Sequence, residues 1–192
     1  MRSIAVYCAS SNGSSPRWCA ALDELGRVVA QRGMTVVYGG GRVGLMGAVA
    51  DGALAAGGKV IGVIPKAMVE AERAHTGVTD LRIVTTMHER KALMVDLSDG
   101  FIAAPGGFGT LDELFETITW AQLGIHRKPV GLLNTDGFYD GLIGFLDKTV
   151  EAGFIQPRFR GLIQVDTDPG RLIEKMAQAE PVVGAGWARK PG

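Results

Sequence analysis

Asp112, Glu113 and Glu116 follow directly on the run Pro105-Gly106-Gly107-Phe108-Gly109-Thr110. A glycine-rich turn lets backbone N–H groups converge, and the start of a helix adds partial positive charge, so such a junction suits a phosphate. Pro105, Gly106, Gly107, Phe108, Gly109 and Thr110 are therefore candidate phosphate-binding residues. Carboxylates in the first helical turn, as Asp112 and Glu113 are expected to be, would repel an anion. They make sense if the ligand is negative at one end and develops positive charge at the other. Thr110 and Glu113 also have the spacing of a helix capping box, a purely structural role. That role leaves the preceding glycines unexplained, and also Glu116, one turn further along the same face.

Met87-His88-Glu89-Arg90-Lys91 is a second candidate. Arg90 and Lys91 fall in the first turn of a helix, where each cation opposes the macrodipole by typically ~0.3–1 kcal/mol. A solvated pair is the plain reading, and an anionic ligand beyond a strand end is the functional one. His88 reads as an exposed first-turn residue, and with His75 and His126 it forms no metal-ligand motif. Gly39-Gly40-Gly41-Arg42-Val43-Gly44 spells G-x-G-x-x-G. It follows the second strand rather than the first, and the next strand ends in Ile64-Pro65-Lys66, where a dinucleotide site wants an acid. We read it as a close backbone approach that also lines a nucleotide pocket, with Gly40 and Gly41 among the binding residues. No G-K-[ST] run supports a Walker-type ATPase.

The elements that must position these residues alternate. Strands are expected at Ser3–Cys8, Met34–Tyr38, Lys59–Ile64, Leu81–Thr85, Gly100–Ala104, Lys128–Leu133 and, more weakly, Leu162–Val165. Helices are expected from Trp18 to Arg32, from the second glycine turn to Ala56, and after Thr86, which with Glu89 fits a capping box. Others span Leu114–Leu123, about Phe138 to Glu151, and Pro169–Ala179. Residues 66–79 read as a loop near the site. The strands are continuous apolar runs, as burial on both faces produces. The expected fold is α/β, a doubly wound, Rossmann-like parallel sheet in one domain over 1–180, with a loose tail at 181–192. Sites then lie beyond the C-terminal strand ends, where Ser10–Gly13, Gly39–Gly47, Thr86–Lys91 and Pro105–Glu113 could converge.

Apolar residues make up 46% of the 192, enough for a sizeable core. Twenty basic and twenty acidic side chains cancel, which argues against a general nucleic-acid or membrane-surface binder. No segment is long enough to span a membrane. Met1 to Ala9 reads as a first strand rather than a signal peptide. Cys8 and Cys19 have neither metal spacing nor a disulfide framework, which fits a reducing, cytoplasmic compartment.

Pro105 to Glu113 matches the signature P-G-G-x-G-T-x-x-E, and Met87 to Lys91 matches M-x-x-R-K. With Trp120-Ala121-Gln122-Leu123-Gly124-Ile125-His126 and Val6-Tyr7-Cys8-Ala9-Ser10-Ser11, the chain resembles the Lonely Guy (LOG) family of cytokinin riboside 5′-monophosphate phosphoribohydrolases, from the first strand to about Gly161. That family is often labelled "lysine decarboxylase", yet the sequence has no recognisable pyridoxal-phosphate lysine site. The resemblance implies hydrolysis of the N-glycosidic bond of adenosine 5′-monophosphate, plain or N6-modified, to free base and ribose 5-phosphate. It implies Glu113 as the catalytic carboxylate facing oxocarbenium-like charge, with Arg90 orienting it or the substrate, or assisting departure of the base. Gly106, Gly107, Gly109 and Thr110 would hold the phosphate. Ser10, Ser11, Met87, Lys91, Pro105, Phe108 and Glu116 join the substrate-binding set. Met87 and Met94 suit an apolar base pocket, and equally a core. No metal or organic cofactor is expected, and the chain is expected to be a homodimer. The alternative is a nucleotide-binding or carrier protein without hydrolase activity.

Overall fold

The computed structural model describes residues 1–70, 73–180 and 182. Apart from residue 182, the tail expected at 181–192 lies outside the described residues. The strands are β1 (Ser3–Tyr7), β2 (Thr35–Tyr38), β3 (Lys59–Pro65), β4 (Asp80–Val84), β5 (Gly100–Ala103), β6 (Val130–Leu133) and β7 (Ile163–Asp166). The helices are α1 (Pro16–Gln31), α2 (Gly44–Ala55), α3 (Met87–Asp96), α4 (Phe108–Leu123), α5 (Asp140–Glu151), the short α6 (Pro157–Arg160) and α7 (Pro169–Gln178). All seven expected strands are present, and among the described α-helices only α6 has no counterpart in the sequence reading. The strands form one parallel sheet in the order β4-β3-β2-β1-β5-β6-β7.

Burial explains why these segments become strands. β5 and β6 are buried along their whole length, and β1 at every residue after Ser3. Such runs leave no polar face for solvent, so helices must cover both sides. One apolar core joins the sheet to α1, α2 and α7, around Leu22, Leu25, Val49 and Leu172. The other lies under α3, α4 and α5, around Met94, Phe101, Leu114 and Tyr139. The outermost strand β4 is less covered, and Ile83 is exposed.

Local signals set the helix ends. Ser15 caps α1 by accepting from the Arg17 N–H, with Pro16 in the first turn. Glu89 N–H donates to the Thr86 hydroxyl, completing half of the expected capping box at α3. The Glu89 carboxylate reaches back to the Thr85 N–H, at 2.7 Å, rather than to that of Thr86. The small residues of α2 serve the neighbouring helix as well as the sheet. A Cβ at Gly26 would collide with the Val49 carbonyl, and one at Gly52 with the Asp23 carbonyl. Only glycine allows α1 and α2 to lie so close.

Strand order reverses between β1 and β5, which pair with each other but lead to opposite halves of the sheet. The crevice beyond their C-terminal ends is where ligands bind in such sheets. Two backbone bonds lock the exits of the two strands together: Ala104 N–H to Tyr7 O at 2.9 Å and Ala9 N–H to Pro105 O at 3.2 Å.

Candidate active site

The crevice holds a cavity of about 350 Å³ lined by residues from five segments. Cys8, Ala9, Ser10 and Ser11 leave β1; Met46 and Met68 come from α2 and from the turn after β3; Met87 and Arg90 come from α3; Gly107 to Thr110 and Glu113 come from α4. The size is that of a small-molecule site. A neighbouring cavity of about 190 Å³ shares Ala9, Ser11 and Gly107, and adds Pro105, Gly106, Trp18 and Phe138. Trp18 and Phe138 meet edge to face there, 5.8 Å apart.

α4 begins earlier than its sequence suggests. Gly107 is the N-cap and Phe108 the first helical residue, so Thr110 sits inside the first turn. This corrects the capping-box reading of Thr110 and Glu113, and places Asp112 and Glu113 beyond the first turn, which has no acidic residue. The cause is local: Gly106 leaves room for the Thr110 side chain, which occupies the space a Cβ would take. Among the described residues no side chain caps α4, and Gly107 to Thr110 at its start line the cavity, an arrangement that suits an anion. A Cβ at Gly107 or Gly109 would meet nothing within 4 Å among the described residues. Packing within the chain therefore gives no reason for either glycine. Phe108 stands at the rim, 94% exposed.

Arg90 and Glu113 are buried at this cavity, 3% and 7% exposed. The Arg90 guanidinium donates through Nε to Val63 O at 3.1 Å and through Nη2 to Gly39 O at 3.0 Å. Gly39 must lack a side chain, because a Cβ there would occupy the position of Nη2. Two carbonyls at the ends of β2 and β3 thus hold the guanidinium in one plane. Glu113 is anchored through its own helix: the Thr117 hydroxyl donates to Glu113 O at 2.8 Å and meets the Tyr7 phenol at 3.0 Å. Burial above all, and the negative charge of Glu113 in addition, push the Cys8 thiol up, while Arg90 acts in the opposite direction. The Tyr7 phenol is also pushed up by burial. Both groups are neutral at ordinary pH.

The structure brings together Ser10, Ser11, Met87, Arg90, Gly107, Phe108, Gly109, Thr110 and Glu113 in the larger cavity, with Pro105 and Gly106 in the smaller. Lys91, Glu116, Gly40 and Gly41 line neither. Lys91 is 3.0 Å from Asp112 and 3.2 Å from Glu116, an ion-pair cluster between α3 and α4. Gly40 and Gly41 pack on the following loop, Gly40 O accepting from the His75 N–H at 2.8 Å and Gly41 bridging to Ala74. The N-terminus of α2 is occupied by protein: Leu45 N–H donates to Ser11 O and Met46 N–H to Ala9 O. The G-x-G-x-x-G run thus packs against its neighbours in the chain and, through Gly39 O, against Arg90. Met94 is core, whereas Met87 faces the cavity.

Cys8, Met46 and Met68 are lining residues that the sequence reading missed. Cys8 had a usable signal, its place at the end of a strand beside Ser10. Met68 had only its position in the loop expected near the site. No lysine is among the described residues lining the cavity. No group of three His, Cys, Asp or Glu residues suited to a metal comes together among the described residues.

A family model described as "Possible lysine decarboxylase" matches residues 46–176. The chain is 49% identical to the probable cytokinin riboside 5′-monophosphate phosphoribohydrolase LOGL2 of Oryza sativa subsp. japonica, over 94% of this chain and 74% of that protein. It is 47% identical to the cytokinin riboside 5′-monophosphate phosphoribohydrolase LOG7 of Arabidopsis thaliana, over 93% and 82%. Among solved structures, the molybdenum cofactor carrier protein of Chlamydomonas reinhardtii superposes with a TM-score of 0.70 at 24% identity, covering 92% of this chain and 96% of that one. At that identity the likeness speaks for the fold alone. The likeness to the curated relatives runs over nearly the whole chain, and this protein belongs to the LOG family, whose curated members are named cytokinin riboside 5′-monophosphate phosphoribohydrolases.

Proposed function

We propose that this chain hydrolyses the N-glycosidic bond of adenosine 5′-monophosphates, including N6-substituted ones, to the free base and ribose 5-phosphate. The observation that carries the reading is the placement of Glu113. It is a buried carboxylate in the same cavity as an uncapped, glycine-rich helix start. Thr110 and Glu113 lie three residues apart on α4, about 4.5 Å of rise along the axis. One ribose 5-phosphate can span that distance, with its phosphate on the N–H groups of Phe108 to Thr110 and its anomeric carbon beside Glu113.

Water adds to the anomeric carbon, the bond to the base nitrogen breaks, and the base leaves with that electron pair and takes up a proton. The sugar becomes cationic as the bond lengthens. The Glu113 carboxylate offsets that charge and draws the proton from the attacking water. Arg90, fixed by the carbonyls of Val63 and Gly39, orients the substrate and supports departure of the base. Binding the unreactive phosphate positions the reacting carbon. Met46, Met68 and Met87 give the base an apolar, adaptable wall, which suits a substituent on its amino group. Ser10 and Ser11 line the same cavity and offer hydroxyls to the substrate.

We assign the working form as a cytoplasmic homodimer. Two free cysteines suit a reducing compartment. The dimer is supported by α4, which leaves Phe115 exposed and Leu111, Ile118 and Trp120 only partly covered. A groove of about 150 Å³ beside them is lined by Phe115, Ile118, Leu146, Ile155 and Phe159. Light scattering at micromolar protein should give twice the chain mass, and a monomer mass would refute the assignment.

The activity is tested by incubating the protein with AMP and with N6-isopentenyl-AMP and separating the products by chromatography. Release of free base with equimolar ribose 5-phosphate is expected. Tight binding of both nucleotides without release would leave a binding protein, and would overturn the reading.

A further inference from the structure

Ala104 is 0% exposed, so its carbonyl is cut off from water. It lies just past the end of β5 at Ala103 and immediately before Pro105, Gly106 and Gly107. That turn has little stiffness of its own beyond Pro105, and Pro105 has no N–H with which to anchor it. Its placement therefore depends on a few bonds from outside. Two are backbone bonds to the β1 exit, Ala104 N–H to Tyr7 O and Ala9 N–H to Pro105 O. The third comes from a side chain: the Tyr139 phenol donates to Ala104 O at 2.6 Å.

Tyr139 is built to make that bond. It is 2% exposed, and burial pushes its phenol up, so it stays a neutral donor. Its ring packs edge to face on Phe138, 4.9 Å away. Its own N–H donates to Asn134 Oδ1 at 2.7 Å, and Asn134 Nδ2 donates to Asp140 Oδ1 at 2.7 Å. Asn134 is fixed to the sheet by donating its N–H to Asp166 O at 2.8 Å. A continuous chain of bonds thus runs from the end of β7 through Asn134 and Tyr139 to the last residue before the glycine turn.

We propose that Tyr139 is a positioning residue for phosphate recognition, acting through the Ala104 carbonyl on the Pro105–Gly107 turn and hence on the N–H groups at the head of α4. The inference rests on the phosphate-binding reading of that turn. Tyr139 does not touch substrate. Without the hydroxyl, Ala104 O is buried and unsatisfied, and the turn must shift to satisfy it. The loss then falls on groups that meet phosphate and spares those that meet the base.

The test is Tyr139→Phe, which keeps the ring and removes only the hydroxyl. Affinities for ribose 5-phosphate and for adenine are measured by calorimetry on wild type and variant. Ribose 5-phosphate should bind about fivefold more weakly, the size of one buried hydrogen bond, with adenine affinity unchanged. Ser3→Ala, which removes a hydroxyl bond to Leu97 O, serves as a control for a comparable loss of stability and should alter neither affinity. If Tyr139→Phe does not fold, Asn134→Ala keeps the phenol but frees its backbone, and should show the same selective loss. Equal affinities in variant and wild type, or equal losses for both ligands, would overturn the proposal. If wild type itself fails to bind ribose 5-phosphate, the phosphate-binding reading falls first, and the role of Tyr139 falls with it.

Discussion

The Lys91 ammonium lies 3.0 Å from Asp112, and so ties the helix that carries Arg90 to the helix that carries Glu113. It also lies 3.2 Å from Glu116. Lys91 is the residue next to Arg90, and Asp112 the residue next to Glu113, so the pair sets the spacing of two cavity-lining neighbours and lines neither cavity itself. Burial acts to lower the Lys91 pKa, but the hydrogen bonds and charges of Asp112 and Glu116 outweigh it and raise the value.

Lys91→Met should therefore impair the enzyme less than Arg90→Ala does. Asp112 is well exposed, and pairs of this kind contribute about 0–1 kcal/mol, so the melting temperature should fall only slightly. We expect kcat to drop several-fold for Lys91→Met and by less for Asp112→Asn, because Glu116 still holds the ammonium. Steady-state kinetics on AMP check the order. Equal losses in Lys91→Met and Arg90→Ala would mean that Lys91 meets the substrate.

Gly109 separates stability from function. It is the second residue of α4, where a Cβ meets nothing within 4 Å among the described residues. Alanine in a helix is favoured over glycine by up to about 1 kcal/mol, so Gly109→Ala should melt no lower than wild type. The added methyl group should obstruct an anion at the helix start and lower kcat/KM for AMP by tenfold or more. For the same reason adenosine should be a far poorer substrate than AMP. An unaffected kcat/KM in Gly109→Ala, or equal turnover of adenosine and AMP, would remove the phosphate from this turn.

His126 makes the fold sensitive to mild acid. Its Nδ1 accepts from the Lys128 N–H and its Nε2 donates to Thr117 O at 3.0 Å, one turn beyond Glu113. Burial lowers its pKa; the Thr117 bond opposes this and the charge of Lys128 adds to it. The unfolded chain therefore takes up the proton first, near the ordinary histidine value of about 6.5. The stabilisation is complete above that value and is lost as pH falls through the lower, folded pKa. Wild type should lose melting temperature between pH 7 and pH 5, and His126→Gln should lose less across the same interval. Parallel curves would show that His126 is not the group responsible.

The sheet was legible because parallel strands buried on both faces must be continuous apolar runs, and seven of them stand out. The turn before α4 was legible because glycine and proline punctuate the chain strongly. The start of α4 was not, because Phe108-Gly109 has no capping side chain and Thr110-x-x-Glu113 offered a more familiar start. The contacts of Gly40 and Gly41 with His75 and Ala74 were hidden because close packing and ligand contact ask for the same residue. Arg90 was visible as a candidate cation, but not its partners, since Val63 and Gly39 take part only through their carbonyls. Tyr139 carried no signal, because its bond joins residues 35 positions apart.

In the proposed reaction the charge of Glu113 acts on the sugar. Glu113→Gln keeps the shape of the side chain and removes that charge. The measurement is single-turnover release of adenine from AMP by the folded variant, with ribose 5-phosphate affinity determined on the same sample. The rate should fall by at least about a hundredfold, the low end for one acid–base group, with affinity within a few-fold of wild type. A variant that releases adenine at the wild-type rate would contradict it.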